Sequence, residues 1–237
     1  MIENILKSPV LTDPWRHQVI NNFFDEEDFL KIWKASYVLH KKYENKTITS
    51  DGCLSLAEVA DDIGDDVFNI ILKSNKEILD NIEQISKNYP NHYKHTDYIS
   101  FPSFHLLPPN TDYQKIHDES SDKTISVVLY LYPEKSTGTL LYKENNRDSL
   151  AKEIPWNPNT AMLFCGEDKT TWHDFCSREF PRVTINYFVR SIPDRNLKEN
   201  DDNYYWTFGN GMKSYIPKSI SKEKLNILTS GILFRKI

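Results

Sequence analysis

Cysteine is scarce. The three that occur, Cys53, Cys165 and Cys176, form no Cys-x-x-Cys pair and are odd in number. That argues against a zinc knuckle and a disulfide framework, and it fits a reducing compartment. Blocks of basic residues are also missing, and the formal net charge is -5. No surface built to track phosphates is therefore expected, and nucleic acid is disfavoured as a partner. No apolar run approaches the roughly eighteen residues of a membrane span, and the opening thirty residues hold no apolar signal segment. On these absences a cytoplasmic protein is expected. Internal repeats and low-complexity linkers are lacking too.

What remains is the composition of a folded protein: 237 residues, 39% hydrophobic, 13% aromatic and 27% charged. That length suits one domain around one core. Residues 15–20 read as a strand with Trp15, His17 and Val19 on one side. Asp25 is placed to cap a helix that opens on Glu26, Glu27 and Asp28 and carries Phe29, Trp33 and Tyr37 at a spacing of four. Residues 44–52 read as a loop. Ser55 and Glu58 form a capping-box pattern ahead of a helical segment reaching about Lys87, with Val67, Ile70, Ile71, Ile78, Ile82 and Ile85 on its apolar face. Gly64 is expected to divide a short helix from a long one. Residues 98–107 suggest one or two strands interrupted near Pro102, and the apolar runs 125–132 and 160–165 suggest two more. From residue 194 the pattern loosens, so the end of the chain reads as a helix-containing lid or an interaction arm.

Chemistry concentrates between these runs. In the segment Tyr113-Gln-Lys-Ile-His117-Asp118-Glu119, strand alternation puts His117 and Glu119 on one side and Asp118 on the other. His173 follows more than fifty residues later, within reach of the same pocket if the apolar runs are neighbouring strands. Two imidazoles and one carboxylate leave three positions open on an octahedral ion, the arrangement of non-haem Fe(II) oxygenases. Such a site is catalytic rather than structural. Nine residues after His173 comes Arg182, and Thr184 shares its strand face while Val183 turns away. Taken singly, each residue has a plainer reading. A lone histidine on a strand is usually a surface or hydrogen-bonded core residue, as His105 is expected to be, and His92 and His95 read as solvated. Asp174 reads as solvated or as holding a strand end, and Tyr130 as packing or as a hydrogen-bond donor. Asp118 could replace Glu119 if a bulge re-aimed the strand.

The order His117-x-Glu119, His173, Arg182, Thr184 resembles the Fe(II)- and 2-oxoglutarate-dependent dioxygenases, in particular their prolyl 4-hydroxylase-like branch in its compact phage and bacterial form. The resemblance covers about residues 95–190, and more loosely the opening residues 14–24. It implies a mainly β fold with supporting helices: a double-stranded β-helix, or jelly-roll, core at about 95–190, and N-terminal helices in 1–94 packed on the major sheet. A C-terminal extension at 191–237 completes one domain spanning 1–237. It implies further that His117, Glu119 and His173 are catalytic and bind the metal. Arg182 would pair with the far carboxylate of 2-oxoglutarate, with Thr184 adding a hydrogen bond and Tyr130, just before Leu131, a further contact. The implied cofactors are Fe(II), 2-oxoglutarate as cosubstrate and O2, with ascorbate as a reductant. Thr137-Gly138-Thr139-Leu140-Leu141 resembles the family's turn into a strand beside the iron, its glycine supplying an unusual backbone angle.

One departure is Glu119, where most members carry aspartate. The activity implied is hydroxylation of an unactivated carbon, in a prolyl or other amino-acid residue of a peptide or protein, although relatives also act on small molecules. Oligomeric state is not legible. Two alternatives stay open: a non-catalytic jelly-roll binding module, and a cupin-like non-oxidative metalloenzyme that has no need of Arg182 and Thr184 as a carboxylate clamp.

Overall fold

A computed structural model describes residues 1–44, 52–89, 97–111, 115–119, 123–167, 169–191, 198–207, 213–218 and 234–236. A short helix α1 (Ile2–Lys7) leads into β1 (Val10–Leu11) and β2 (His17–Ile20), and α2 spans Glu26–Tyr43. Its cap is the expected one: Asp28 N donates to the Asp25 carboxylate at 2.9 Å, satisfying an amide with no partner inside the helix. Ile32, Ala35 and Leu39 form its buried stripe. After β3 (Cys53–Ser55), the capping box is realised reciprocally. Ser55 N donates to Glu58 at 2.7 Å, and Glu58 N to Ser55 Oγ at 3.3 Å. It stabilises a turn, and α3 (Ala60–Asp80) begins beyond it. Gly64 breaks α3 with φ 75° and ψ 162°, dividing it as the sequence predicts. The short α4 (Ile82–Ser86) follows.

The remaining strands are β4 (Asp97–Leu107), β5 (Lys123–Tyr132), β6 (Thr139–Tyr142), β7 (Leu150–Glu153), β8 (Ala161–Phe164), β9 (His173–Phe175), β10 (Arg182–Ser191), β11 (Lys198–Glu199), β12 (Asn203–Thr207), β13 (Lys213–Pro217) and β14 (Phe234–Lys236). Among the described residues they form a major antiparallel sheet in the order β1-β2-β8-β5-β10-β4-β14, with β3 also on β4. A three-stranded sheet β7-β6-β9 and a separate one, β11-β12-β13, complete the set. The fold is mainly β with a jelly-roll core, as expected.

Alternation along β5 and β10 organises it. Ile125, Val127, Leu129 and Leu131, with Val183, Ile185, Tyr187 and Val189, face the apolar side chains of α2 and α3. Full burial of each such side chain contributes roughly 1.5–3 kcal/mol. Ser74 on α3 and the Tyr187 hydroxyl close this layer with a 2.8 Å hydrogen bond. The opposite face carries Val128, Tyr130, Met162 and Phe164 against Leu141, Ile154, Trp156 and Trp15. This second cluster fills the barrel between the major sheet and β7-β6-β9.

Several expectations are corrected. The strand predicted from residue 15 starts at His17. Pro102 does not interrupt β4, which is one strand paired in register with β10, Pro102 opposite Tyr187. Its carbonyl accepts from Leu56 N, so the missing N–H falls on the edge away from β10, where the ladder loses nothing. Gly138 is not at an unusual backbone angle. It is required for space, since a Cβ there would stand 1.6 Å from the Ile154 carbonyl oxygen. Residues 115–119 are not a regular strand, and only an isolated bridge joins His117 to His173. The end of the chain contributes β11, β12 and β13 as a sheet and β14 as an added strand. The rest of that stretch, where a helix was open to expectation, most of the predicted loop at 44–52, His92 and His95 lie outside the described residues. Among the described residues no helix is long and apolar enough to cross a membrane.

Candidate active site

The bridge between His117 and His173 is the geometric centre of the site. His117 N donates to His173 O at 3.1 Å and His173 N to His117 O at 2.9 Å, so two segments far apart in sequence are locked side by side. The ring centroids stand 4.4 Å apart. Each imidazole is held at Nδ1 by a carbonyl of its own segment: Lys115 O at 2.9 Å for His117, Thr171 O at 2.7 Å for His173. A carbonyl only accepts, so Nδ1 is the donor in both contacts and Nε2 is the nitrogen left to face a metal. That is the tautomer a metal ligand needs. His173 is buried, and burial together with neighbouring His117 pushes its pKa down to about 4 against the pull of Glu119. It is neutral at neutral pH. Phe164 and Trp15 pack edge-on against its ring, at 4.9 and 6.4 Å.

Glu119 is buried on the same side, while Asp118 turns away and accepts from Lys169 N at 2.8 Å. Burial pulls the Glu119 carboxyl upward. The Lys123 ammonium, His173 and hydrogen bonds from Lys123 and Ser126 outweigh it and hold the pKa at about 2. The group is an anion throughout the physiological range. Both of its oxygens are engaged by β5: Lys123 Nζ lies 2.5 Å from Oε2, and Ser126 Oγ donates to Oε1 at 2.6 Å. Accordingly, among the described residues no three His, Cys, Asp or Glu side chains stand grouped as metal ligands. The donor set nevertheless suits a divalent ion: two imidazoles held through Nδ1, that of His173 neutral, near one ionised carboxylate.

Arg182 lies buried with its Nε–H donating to Thr137 O at 3.2 Å and Nη2 reaching Thr139 Oγ1 at 3.5 Å. Phe175, Trp156 and Tyr130 surround the guanidinium, with ring centroids at 4.9, 5.6 and 5.8 Å. Among the described residues no carboxylate forms an ion pair with it. Burial pushes its pKa down to about 10, only partly opposed by Tyr130. Thr184 pairs in register with Tyr130, so both face the barrel interior beside Arg182. The Thr184 hydroxyl donates to Asn186 Oδ1 at 3.1 Å, and Tyr130 donates to Thr139 Oγ1 at 2.9 Å. A cleft of about 290 Å³ opens at the rim, lined by Lys135, Ser136, Thr137, Arg178, Glu179 and Phe180.

The structure thus sets His117 beside His173, with Glu119 near enough to His173 to feel its charge but turned to Lys123 and Ser126, and it puts Arg182, Thr184 and Tyr130 on one interior face. His105 is a buried histidine bonded to Ser103 at 3.1 Å, as expected. Asp174 is not solvated. It is fully buried and paired with Arg147 at 2.8 Å, which ties β9 to the turn before β7. Sequence reasoning missed Lys123 and Ser126, although stepping back two residues at a time from Tyr130 along β5 leads to Ser126. It also missed Trp156 and Phe175, which carry no local signal because they meet Arg182 only through the closure of the barrel.

No protein-family model matches the chain, and no curated protein matches it. Solved structures do. The chain is similar to a prolyl hydroxylase from Trichoplax adhaerens in complex with a hypoxia inducible factor oxygen degradation domain peptide fragment, at 13% identity and TM-score 0.52 over 74% of this chain and 83% of that one. It is similar to a prolyl-4-hydroxylase of Pseudomonas putida, at 12% identity and TM-score 0.51 over 80% and 96%. A 2OG complex of the viral collagen prolyl hydroxylase of Paramecium Bursaria Chlorella virus-1 matches at 14% and 0.50 over 77% and 99%. The fold of this chain is that of the prolyl-hydroxylase-like 2-oxoglutarate oxygenases.

Proposed function

We propose that the protein is an Fe(II)- and 2-oxoglutarate-dependent dioxygenase that hydroxylates an unactivated carbon, in a prolyl or other amino-acid residue of a peptide or protein. The observation that carries this reading is Arg182: a guanidinium closed inside the barrel that makes no ion pair with an acidic side chain among the described residues. A planar cation held in an aromatic surround is matched by a carboxylate brought from outside. The paired imidazoles with open Nε2 atoms supply the complementary end of the site.

In this reading His117, His173 and Glu119 hold the iron. Bound iron with 2-oxoglutarate and O2 supplies the oxidising power that breaks the substrate C–H bond. The protein's own residues do the rest. Thr171 O and Lys115 O fix the two imidazoles in the metal-binding tautomer. Arg182 clasps the far carboxylate of 2-oxoglutarate, and Thr184 joins it by turning its hydroxyl from Asn186. Tyr130 keeps the guanidinium aligned through Thr139, which both residues contact. Trp15, Phe164 and Trp156 exclude water from the space between, which strengthens each of these electrostatic contacts. The peptide seen with the Trichoplax prolyl hydroxylase supports a peptide as the substrate class.

The test is succinate formation from 2-oxoglutarate with Fe(II), ascorbate and O2. Turnover in the natural protein and its loss in His173→Ala and Arg182→Ala are expected. Equal turnover in all three would refute the assignment, and failure to bind both Fe(II) and 2-oxoglutarate would leave a non-catalytic jelly-roll binding module.

A further inference from the structure

Glu119 already has a cation on it, and the cation belongs to this chain. Lys123 Nζ lies 2.5 Å from Oε2 and Ser126 Oγ 2.6 Å from Oε1. The same ammonium rests 4.0 Å from the centroid of the Phe188 ring, so it is seated between an anion and a π face. Only 15% of the Lys123 side chain and 2% of the Glu119 side chain reach solvent. Behind them, Gly166 leaves the room that lets Glu119 sit so deep: a Cβ there would stand 2.9 Å from Glu119 Cβ and 3.0 Å from Lys123 O. The arrangement is built, and the residues proposed to bind metal do not explain it.

Resting on the reading of His117, Glu119 and His173 as the metal ligands, we propose that Lys123 is a place-holder for the metal. Its ammonium neutralises Glu119 in the metal-free protein and is displaced when a divalent cation binds, so that Lys123 sets the metal affinity. A buried carboxylate with no counter-charge is strongly unfavourable, and Lys123 removes that penalty while the site is empty. A divalent ion arriving at the imidazoles meets a positive charge on the oxygen it needs, in surroundings that screen little. Two cations on one buried carboxylate repel. The one on a flexible four-carbon stem with a partial outlet to solvent is the one that moves. Ser126 carries no charge and keeps its hold on Oε1, steadying the carboxylate through the exchange. Glutamate at this position makes the device workable, because its longer arm reaches β5 where aspartate would fall a methylene short.

Metal affinity tests this apart from turnover. Co(II) is titrated into the metal-free protein and followed by its visible absorption and by calorimetry, with thermal melts of the metal-free and Co(II)-saturated forms. Lys123→Met is expected to bind Co(II) at least tenfold more tightly than the natural protein, and Lys123→Arg to stay close to it. Metal-free Lys123→Met should melt lower than the natural protein, with the difference closing on saturation. A lysine that only supported the fold would lower both melts and weaken the metal. Lys123→Gln, smaller and still able to donate to Glu119, is expected to move affinity the same way and serves if the methionine variant does not fold. Co(II) affinity unchanged or weakened in the charge-removing variants, with binding still abolished by His173→Ala, overturns the place-holder alone. Co(II) binding untouched by His173→Ala removes the metal site, and the proposal with it.

Discussion

Arg182 is a buried cation with no ion pair among the described residues, and its environment makes a paired prediction. Burial lowers its pKa from the usual arginine range to about 10, a displacement worth about 3 kcal/mol against the charged form. The three aromatic rings recover part of that. Arg182→Met keeps the volume and removes the charge, so the ligand-free variant is expected to melt at a higher temperature than the natural protein while its affinity for 2-oxoglutarate falls more than about a hundredfold, since a lost buried charge pair costs several kcal/mol. Melting and calorimetric titration read the two effects separately. His17 predicts a pH effect. Its Nδ1–H donates to Trp15 O at 2.8 Å, its Nε2 has no hydrogen-bond partner among the described residues, and burial lowers its pKa from 6.5. As pH falls below about 6.5, the unfolded chain takes up a proton here that the folded chain refuses. Stability is therefore complete above that value and is lost as pH drops toward the lowered one, with a slope of up to about 1.4 kcal/mol per pH unit. Denaturant unfolding at about pH 5 and pH 7 should show the loss in the natural protein and a smaller one in His17→Asn, which keeps a donor and does not titrate.

At the scale of elements, legibility followed how local the cause was. The Asp25 cap, the Ser55 and Glu58 box, the break at Gly64 and the two-faced alternation of β5 and β10 are each decided within a few residues, and all are readable in the chain. What was not legible depended on partners distant in sequence. Pro102 looks like an interruption until β3 and β10 are seen on opposite edges of β4. The segment 115–119 looks like a strand, yet one bridge to His173 does the positioning. The candidate site residues are proposed from their order, whereas Lys123 on Glu119 has no such signal, because nothing in the spacing says which way a carboxylate with two oxygens will turn. The glycines give a matched test. Gly64→Ala has open space but a backbone angle that suits only glycine, and should cost about 1–3 kcal/mol. Gly138→Ala drives a Cβ to 1.6 Å from the Ile154 oxygen and must part β6 from the segment after β7, so a loss beyond about 4 kcal/mol is expected. Equilibrium unfolding of the two variants checks the ranking.

For the whole molecule, a jelly-roll matched by prolyl hydroxylases at 12–14% identity shows how little of the sequence the architecture requires. Alternation and a handful of turns suffice, and the interior is left free to differ. The same sheet carries a hazard at its margin. β4 would present a bare hydrogen-bonding edge were it not covered twice, by β3 against Ser103 to His105 and by β14 against Asp97 to Ile99. Removing residues 234–236 should leave the candidate site alone while uncovering a template on which a neighbouring molecule can add its own strand. Light scattering of the shortened protein would then rise with concentration and time, making those last few residues a guard against self-association.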